Sequence, residues 1–207
     1  NFCTYCIIPY ARGPVRSRSL ERIVEETRLL AGHGYAEAVL TGIHIGSYGK
    51  DLKNGLGLID VVEAVCGVEG ISRVRLGSIE PMTVTEDFVV RAKRLDNLCP
   101  QFHLSLQSGC SETLARMRRR YTAEEYAKAV ERLRGAFPDA SFTTDLMVGF
   151  PGETDAEFEK SYEFCKGIGF MNMHVFKYSI RKGTVAEKME NQVSEQVKEE
   201  RSEKMIA

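Results

Sequence analysis

The 207-residue sequence has almost no net charge, no long apolar segment and no tryptophan. Its 28 basic and 29 acidic side chains leave a formal net charge of −1, so no global positive field attracts a polyanion. No apolar run approaches the roughly 20 residues that a membrane-spanning helix needs. We therefore expect no membrane association, and we expect any nucleic-acid contact to come from local basic patches or from other parts of the protein.

The cysteine pattern excludes a disulfide scaffold, because only Cys3 and Cys6 of the six cysteines lie close together. Isolated cysteines predict a reducing, cytoplasmic compartment. A Cys-x-x-Cys pair can be half of a zinc site, a redox pair or part of an iron–sulfur site. No second ligand pair supports zinc, and Ile7, Ile8 and Pro9 follow where a thioredoxin-like pair would open a helix.

Apolar runs alternate along the chain with amphipathic segments, and this alternation predicts six strand–helix units. The apolar runs are Ile7–Ile8, Ala36–Thr41, Arg73–Ile79, Phe102–Leu106, Ser141–Val148 and Met171–Tyr178. Helices are predicted to begin near Ser19 and Ser194, and at the capping pairs Thr83 with Glu86, Thr122 with Glu125 and Thr154 with Glu157. The spacing predicts a parallel sheet with helices outside it and right-handed crossovers.

Polar residues along two of these strands favour a barrel over an open sheet. In the fourth strand His103, Ser105 and Gln107 share one face, and in the fifth Asp145 shares a face with Met147. A sheet that is covered by helices on both faces should be apolar on both. A polar face fits a lumen that binds a ligand, so we predict an α/β fold, a six-unit (β/α) partial TIM barrel.

The first ten residues resemble the end of the radical S-adenosylmethionine (SAM) signature, Cys-x-x-x-Cys-x-aromatic-Cys. Tyr5 stands at the aromatic position between Cys3 and Cys6. The resemblance implies that three thiolates hold three irons of a [4Fe–4S] cluster, while the fourth iron binds the amino and carboxylate groups of SAM. It places the third ligand two residues before Asn1. We therefore expect the 207-residue chain by itself to be inactive and to hold no intact cluster.

Further segments are similar to those of the methylthiotransferase family, in the same order along the chain. They are Leu40–Gly49, Gly77–Pro81, His103–Cys110, Arg118–Thr122, Thr144–Thr154 and Phe176–Thr184. The forms Thr-Gly-Ile-His and Gln-Ser-Gly-Cys resemble the branch that acts on N6-threonylcarbamoyladenosine in tRNA. Ile180 departs from the proline that is usual in the family.

The resemblance also implies which residues bind the amino-acid part of SAM. Glu80 is expected to meet the amino group, with help from the backbone of Thr41 and Gly42, and Arg119 is expected to bind the carboxylate. The chemistry agrees, because a zwitterion needs one acid and one arginine, and arginine offers a bidentate fork to a carboxylate.

The nucleoside part of SAM has its own expected partners. Gln107 and Asp145 are expected to bond the ribose hydroxyls, for which both side chains are suitable acceptors. Gly149 and the strand segment Phe176–Tyr178, with Tyr178 at its end, are expected to flank the adenine, since glycine lets backbone approach a flat base.

Each of these residues also has a structural interpretation. Glu80 could be an acid at a helix N-terminus, Gln107 could satisfy loop backbone, and Asp145 could form a structural salt bridge. His44 could contact a ligand or lie on the surface. The Gly149–Thr154 segment is not a phosphate loop, because it lacks the Gly-Lys-Ser/Thr ending.

Together these features predict a radical SAM tRNA methylthiotransferase. Residues 1–192 would form the barrel, and residues 193–207 would begin a helix leading to an RNA-binding domain. That domain and an N-terminal cluster domain would both lie outside this chain. The implied chemistry is cleavage of SAM to a radical, hydrogen abstraction at C2 of the adenine and methylthio insertion. A sister enzyme acting on isopentenyladenosine or a ribosomal protein, a catalytically inactive RNA-binding barrel and a zinc-binding barrel are the alternatives.

The predicted partners are tRNA and an electron donor. The tRNA would bind through domains outside this chain and through the arginine run, where Arg116, Arg118 and Arg120 are the candidates for phosphate contact. A solvated charged face is the competing interpretation of the run.

Overall fold

The computed structural model describes residues 3–207. Asn1 and Phe2, which begin the cysteine motif, and the predicted upstream ligand lie outside the described residues. The chain divides into two compact units. The first unit comprises residues 3–14, Leu104–Val130 and Phe142–Ala207, and the second comprises Val15–His103 and Glu131–Ser141.

Five strands and eight α-helices lie within residues 3–207. The strands are β1 Glu37–Leu40, β2 Arg73–Leu76, β3 Gln101–His103, β4 Ser141–Val148 and β5 Asn172–Lys177. The helices are α1 Ile8–Arg12, α2 Leu20–Gly32, α3 Leu58–Cys66, α4 Glu86–Ala92, α5 Ser111–Arg116, α6 Ala123–Ala136, α7 Asp155–Ile168 and α8 Glu195–Ile206. Short 3-10 turns cover Ile45–Ser47, Pro81–Thr83 and Ala186–Lys188.

In the second unit β1 and β2 pair in parallel, with Glu37 opposite Arg73 and Leu40 opposite Leu76. Helix α3 packs on β2 and contributes Val62 to the core without any exposed surface. Beyond Leu76 the chain leaves the sheet toward Pro81, so the residues that follow β1 and β2 lie at the carboxyl ends of parallel strands.

In the first unit β4 and β5 pair in parallel, with Thr143 opposite Asn172. Gln107 forms a parallel bridge with Leu146 and extends this pairing. Helix α8 packs against β5. The predicted parallel arrangement is confirmed for both described pairings.

The predicted alternation of faces is also confirmed. Along β4 the residues alternate between partly exposed and buried, so that Thr144 and Leu146 have no exposed surface whereas Asp145 is partly exposed. Leu104 and Leu106 are buried in the same way, and Gln107 is partly exposed. The apolar face therefore forms the core, and the polar face carries the candidate site residues.

Two local predictions were wrong. The first apolar run belongs to a helix rather than a strand, because α1 begins at Ile8 and Pro9 suits the first turn of a helix. Helix α4 is capped by Thr85, which accepts from the N–H of Phe88, and not by Thr83, which closes a 3-10 turn. The caps at Thr122 and Thr154 are confirmed.

None of the helices described in residues 3–207 has the length and apolar character that crossing a membrane requires.

Candidate functional site

The two motif cysteines lie on one tight turn of the first unit. The N–H of Cys6 donates to the carbonyl of Cys3 over 3.1 Å, and both thiols are partly exposed. Buried Thr4 anchors the turn, since its N–H donates to the Met117 carbonyl over 3.1 Å and its carbonyl accepts from Ala186 over 2.8 Å. The turn therefore presents both sulfurs from a fixed backbone.

Arg119 reaches this turn from the segment after α5. Its Nη1 donates to Cys3 Sγ over 3.2 Å, and its Nε donates to the Tyr121 hydroxyl over 2.9 Å. The Tyr121 ring lies 5.0 Å from the guanidinium carbon, and its hydroxyl bonds the Ser105 carbonyl over 2.6 Å. Tyr121 was not among the predicted site residues, although an aromatic residue two positions from an arginine can stack on it.

Tyr5 bonds to Gln107, which is 102 positions away in the chain. The Tyr5 hydroxyl donates to Gln107 Oε1 over 3.0 Å. Burial raises the pKa of Tyr5 well above its usual value, while nearby Arg119 acts in the opposite direction. The predicted residues Cys3, Tyr5, Gln107 and Arg119 are thus brought together by direct contacts within one unit.

Gln107 has the backbone conformation of a left-handed residue, with φ of 69°. Such a conformation costs a non-glycine residue on the order of 1–3 kcal/mol and is retained only when surrounding contacts enforce it. Those contacts are its N–H bond to the Asp145 carbonyl over 2.8 Å and the bond from the Met147 N–H to its own carbonyl over 2.9 Å. Asp145 lies beside Gln107 through this pairing and opposite His174 in β5.

Tyr178 lies in an apolar cluster with Phe150, Met117 and Ala186, against which Tyr5 packs. The Tyr178 and Phe150 rings meet edge to face at 5.5 Å. Burial raises the pKa of Tyr178, and its hydroxyl has no hydrogen-bond partner within the described residues. The structure thus places Tyr178 in the core beside Tyr5, and its contact with adenine stays a prediction.

Gly149 follows β4 with φ of 70°. A Cβ at this position would stand 2.3 Å from Cγ of Lys198, so the space that the glycine leaves is filled by α8. Its N–H donates to Glu153 Oε2 over 2.6 Å. Packing against Lys198 therefore explains why position 149 carries a glycine. The contact of its backbone with adenine stays a prediction.

Glu153 forms an ion pair that the sequence analysis did not anticipate. Arg201 of α8 donates to its Oε2 over 2.8 Å, and the side chains are 7% and 2% exposed for Arg201 and Glu153 respectively. Burial raises the pKa of Glu153, opposed by its bonds from Gly149 and Arg201. No local signal marked the pair, because 48 positions separate the two residues.

In the second unit Glu80 pairs with His44. His44 Nε2 lies 2.7 Å from Glu80 Oε2, and the other ring nitrogen of His44 bonds to the hydroxyl of Ser47. Glu80 precedes the Pro81–Thr83 turn, yet its side chain makes no capping bond. Glu80 thus lies at the N-terminus of the 3-10 turn, as its structural interpretation expects, but without capping it, and His44 is not an isolated surface histidine.

Thr41 and Gly42 leave the end of β1 as an exposed segment of the same unit. A Cβ on Gly42 would approach Cγ2 of Ile45 to 3.0 Å, so the turn is close-packed on that side. The neighbouring strand end is tied to it by the bond from the Gly77 N–H to the Leu40 carbonyl over 2.8 Å. The second unit thus contributes Thr41, Gly42 and Glu80 from the carboxyl ends of β1 and β2.

The arginines proposed to contact phosphate have different surroundings in the structure. Both terminal nitrogens of Arg116 donate to Glu157 carboxylate oxygens at 2.8 Å. This fork-to-fork pair occupies the guanidinium, so the proposal of Arg116 as a phosphate contact is corrected to a structural role. Arg118 and Arg120 are exposed and stay candidates.

The cysteine turn fits a thiolate-bound group in its donor chemistry. Cys3 and Cys6 offer two sulfurs, and the Arg119 guanidinium donates a hydrogen bond to one of them, Cys3 Sγ. Within residues 3–207 no cluster of three or more His, Cys, Asp or Glu side chains is placed to hold a metal ion.

Two of the relatives among proteins of known function show the similarity. Over all 207 residues the chain is 45% identical to the threonylcarbamoyladenosine tRNA methylthiotransferase MtaB of Bacillus subtilis (strain 168), of which it covers 46%. Over 206 residues it is 42% identical to a tRNA-2-methylthio-N(6)-dimethylallyladenosine synthase of Clostridium botulinum (strain Loch Maree / Type A3), again covering 46%. The chain thus spans about half the length of these relatives.

Solved structures share the fold at low identity. The radical SAM methyltransferase TsrM of Kitasatospora setae matches 89% of this chain and 36% of its own, with a TM-score of 0.72 and 16% identity. Coproporphyrinogen III oxidase (HemN) of Escherichia coli matches 100% of this chain and 49% of its own, with a TM-score of 0.67 and 14% identity.

The family comparison matches residues 1–165 to the Radical SAM superfamily. This match and the shared fold confirm the predicted fold class, the partial barrel of the radical SAM type. SAM and a [4Fe–4S] cluster are the cofactors of this family, as predicted. The chain belongs to the radical SAM superfamily.

Proposed function

We propose that this chain is the core of a tRNA methylthiotransferase that inserts a methylthio group at C2 of N6-threonylcarbamoyladenosine next to the anticodon. The observation that carries the proposal is the 45% identity to MtaB over the whole chain, together with the contacts that unite Cys3, Tyr5, Gln107 and Arg119. The sister activity on isopentenyladenosine is the second candidate, because the Clostridium botulinum relative is 42% identical.

Cys3 and Cys6 would hold the cluster, with a third cysteine upstream of Asn1. The fixed turn between them supports this role, because iron–sulfur ligation needs thiolates that are held at a set spacing. Arg119, beside Cys3, would bind the SAM carboxylate through its guanidinium. Glu80 would accept from the SAM amino group, with the backbone of Thr41 and Gly42 beside it.

Gln107 and Asp145 would bond the ribose hydroxyls from the polar face of the sheet. Their shared backbone bond over 2.8 Å supports a joint role, since it keeps the two residues side by side. Gly149 and Tyr178 would flank the adenine, and the apolar cluster with Phe150 would exclude water there. When bound, the cluster and SAM supply the radical chemistry, while these residues supply orientation and a dry site.

The proposed function also implies partners, a location and a boundary for the barrel. We infer a tRNA substrate that meets exposed Arg118 and Arg120, an electron donor and a cytoplasmic location. The barrel is proposed to end at residue 192, and α8 from Glu195 is proposed to lead toward an RNA-binding domain.

Nucleoside mass spectrometry of tRNA from cells lacking the full-length protein tests the function. We expect unthiolated N6-threonylcarbamoyladenosine to accumulate, and plasmid-borne protein to restore the methylthio form. A Cys6→Ala variant should fail to restore it. Loss of the methylthio form of isopentenyladenosine alone would assign the sister activity, and unchanged tRNA would contradict both.

A further inference from the structure

The contact between Tyr5 and Gln107 indicates a role for the Tyr5 hydroxyl, although the family motif requires only an aromatic residue at this position. The hydroxyl adds nothing to the aromatic packing of the Tyr5 ring against Phe150, whose centroids are 6.3 Å apart in an edge-to-face arrangement. Its one described polar contact is the 3.0 Å bond to Gln107 Oε1. A phenylalanine would serve the packing equally well, so the hydroxyl must be explained by Gln107.

We propose that Tyr5 is a positioning residue, whose hydroxyl fixes the carboxamide of Gln107 so that its Nε2 amide group, rather than its oxygen, meets the ribose of SAM. This inference rests on the proposed function. In the bond between the two residues the Tyr5 hydroxyl donates and Gln107 Oε1 accepts, so Nε2 is the end of the carboxamide that remains for another partner. With the oxygen held by Tyr5, Gln107 becomes a hydrogen-bond donor to a ribose oxygen, where the sequence suggested an acceptor.

The backbone of Gln107 is fixed, so only its side-chain orientation remains to be set by Tyr5. Its left-handed conformation is held by strand-type bonds to Asp145 and Met147 on both sides, so the backbone is fixed and the side-chain torsions are what remains to be set. Asp145, whose side chain can accept a hydrogen bond, immediately precedes Leu146, the register partner of Gln107 in the adjacent strand, and its carbonyl accepts from the Gln107 N–H. One donor and one acceptor side by side suit a pair of vicinal hydroxyls, each of which can both donate and accept.

The contact also joins the cysteine turn to the nucleoside end of the ligand. Tyr5 lies between the two cysteines, whereas Gln107 follows β3 in the chain. Ordering the turn therefore orders Gln107, and the hydroxyl is the link that a single-atom deletion removes.

The experiment measures SAM binding to the full-length, cluster-loaded protein by equilibrium dialysis under anaerobic conditions. Tyr5→Phe is made in the Gln107 and in the Gln107→Ala background, and Tyr35→Phe, at an exposed tyrosine, is the matched control. Iron content and melting temperature are recorded for every variant.

We expect Tyr5→Phe to weaken SAM binding about fivefold, as loss of a neutral hydrogen bond of about 1 kcal/mol predicts. In the Gln107→Ala background the same change should alter binding less than about twofold, because the two residues act as one unit. Iron content and melting temperature should stay at the parental values, and Tyr35→Phe should change nothing.

Equal losses in both backgrounds would overturn the inference, since Tyr5 would then act without Gln107. An unchanged affinity in the Gln107 background would do so as well, as would a loss that follows the iron content. In each of these cases the parent still binds SAM and the proposed function stands. Failure of the parent itself to bind SAM would refute the proposed function, and the inference with it.

Discussion

The segments that follow β2 and β4 each carry an acid within five residues of the strand end, but the two acids have different surroundings. Glu80 is 13% exposed and pairs with His44, a residue of the loop that follows β1. Glu153 is 2% exposed and pairs with Arg201, a cation at every accessible pH. The Glu153 carboxylate is buried against a cation and therefore stabilises the fold. The Glu80 carboxylate pairs with a histidine at a strand end, where it can exchange this partner for a ligand.

Gly149 lies four residues before Glu153, and Gly42 lies two residues before His44, the partner of Glu80. Gly149, before Glu153, is packed against Lys198 of α8, while Gly42, near His44, belongs to an exposed turn. The exit of β4 is thus covered by a helix of its own unit. The exit of β2 is covered by a loop, and this contrast predicts opposite outcomes for matched substitutions.

The largest effect should come from Arg201→Met. Removing the cation leaves the Glu153 carboxylate buried without its partner, which costs about 3–5 kcal/mol of unfolding free energy. Urea denaturation at neutral pH measures it. The control Lys204→Met removes an exposed pair with Glu159 from the same helix and should cost less than about 1 kcal/mol. Equal effects of the two variants would remove the distinction between the buried and exposed pairs.

Glu80→Gln should act on ligand binding and leave stability nearly unchanged. Loss of a charged hydrogen bond, worth about 1.5–3 kcal/mol, should weaken SAM binding to the loaded full-length protein roughly ten- to hundredfold. Glu69→Gln, at an exposed acid of the same unit, is the control and should bind normally. A variant that unfolds more readily but binds SAM normally would make Glu80 a structural acid like Glu153.

Gly149→Ala should destabilise the first unit by about 1–2 kcal/mol, because a Cβ is disfavoured at its left-handed φ and would meet Lys198. Gly135→Ala in α6, where a Cβ meets nothing within 4 Å, should instead be neutral or stabilise by up to about 1 kcal/mol. Thermal melting of both variants measures the difference. Full tolerance of alanine at position 149 would show that Lys198 does not require the glycine.

The smallest effect concerns the pH dependence of the Arg116–Glu157 pair. The hydrogen bond from Arg116 is the main cause that lowers the pKa of Glu157 below its ordinary 4.5 in the folded state. The stabilisation from the pair is therefore fully present above pH 4.5, the ordinary pKa, and is lost as the pH falls through the lowered pKa of the folded state. Urea denaturation at a series of pH values should show a shallower acid loss in Glu157→Gln, by less than about 1 kcal/mol. An identical acid profile would contradict the pairing.

Much of this protein was predictable from local chemistry. The caps at Thr122 and Thr154 were readable because the capping partner lies three residues away, and β4 was readable because its apolar residues alternate. The error at Ile8 is also local, since two apolar residues before a proline suit a strand or the first turn of a helix equally well. The cysteine motif and the family segments needed no tertiary structure to be recognised.

The tertiary structure decided which polar residues meet. Tyr5 with Gln107, Arg201 with Glu153 and His44 with Glu80 are separated by 102, 48 and 36 positions. No periodicity connects residues so far apart, because their contact depends on how strands and helices stack rather than on neighbouring side chains. The sequence by itself therefore determined the family, most of the strands and the residues with suitable chemistry. Packing alone decided that Glu153 serves the fold and that Tyr5 orients Gln107, because both contacts join distant parts of the chain.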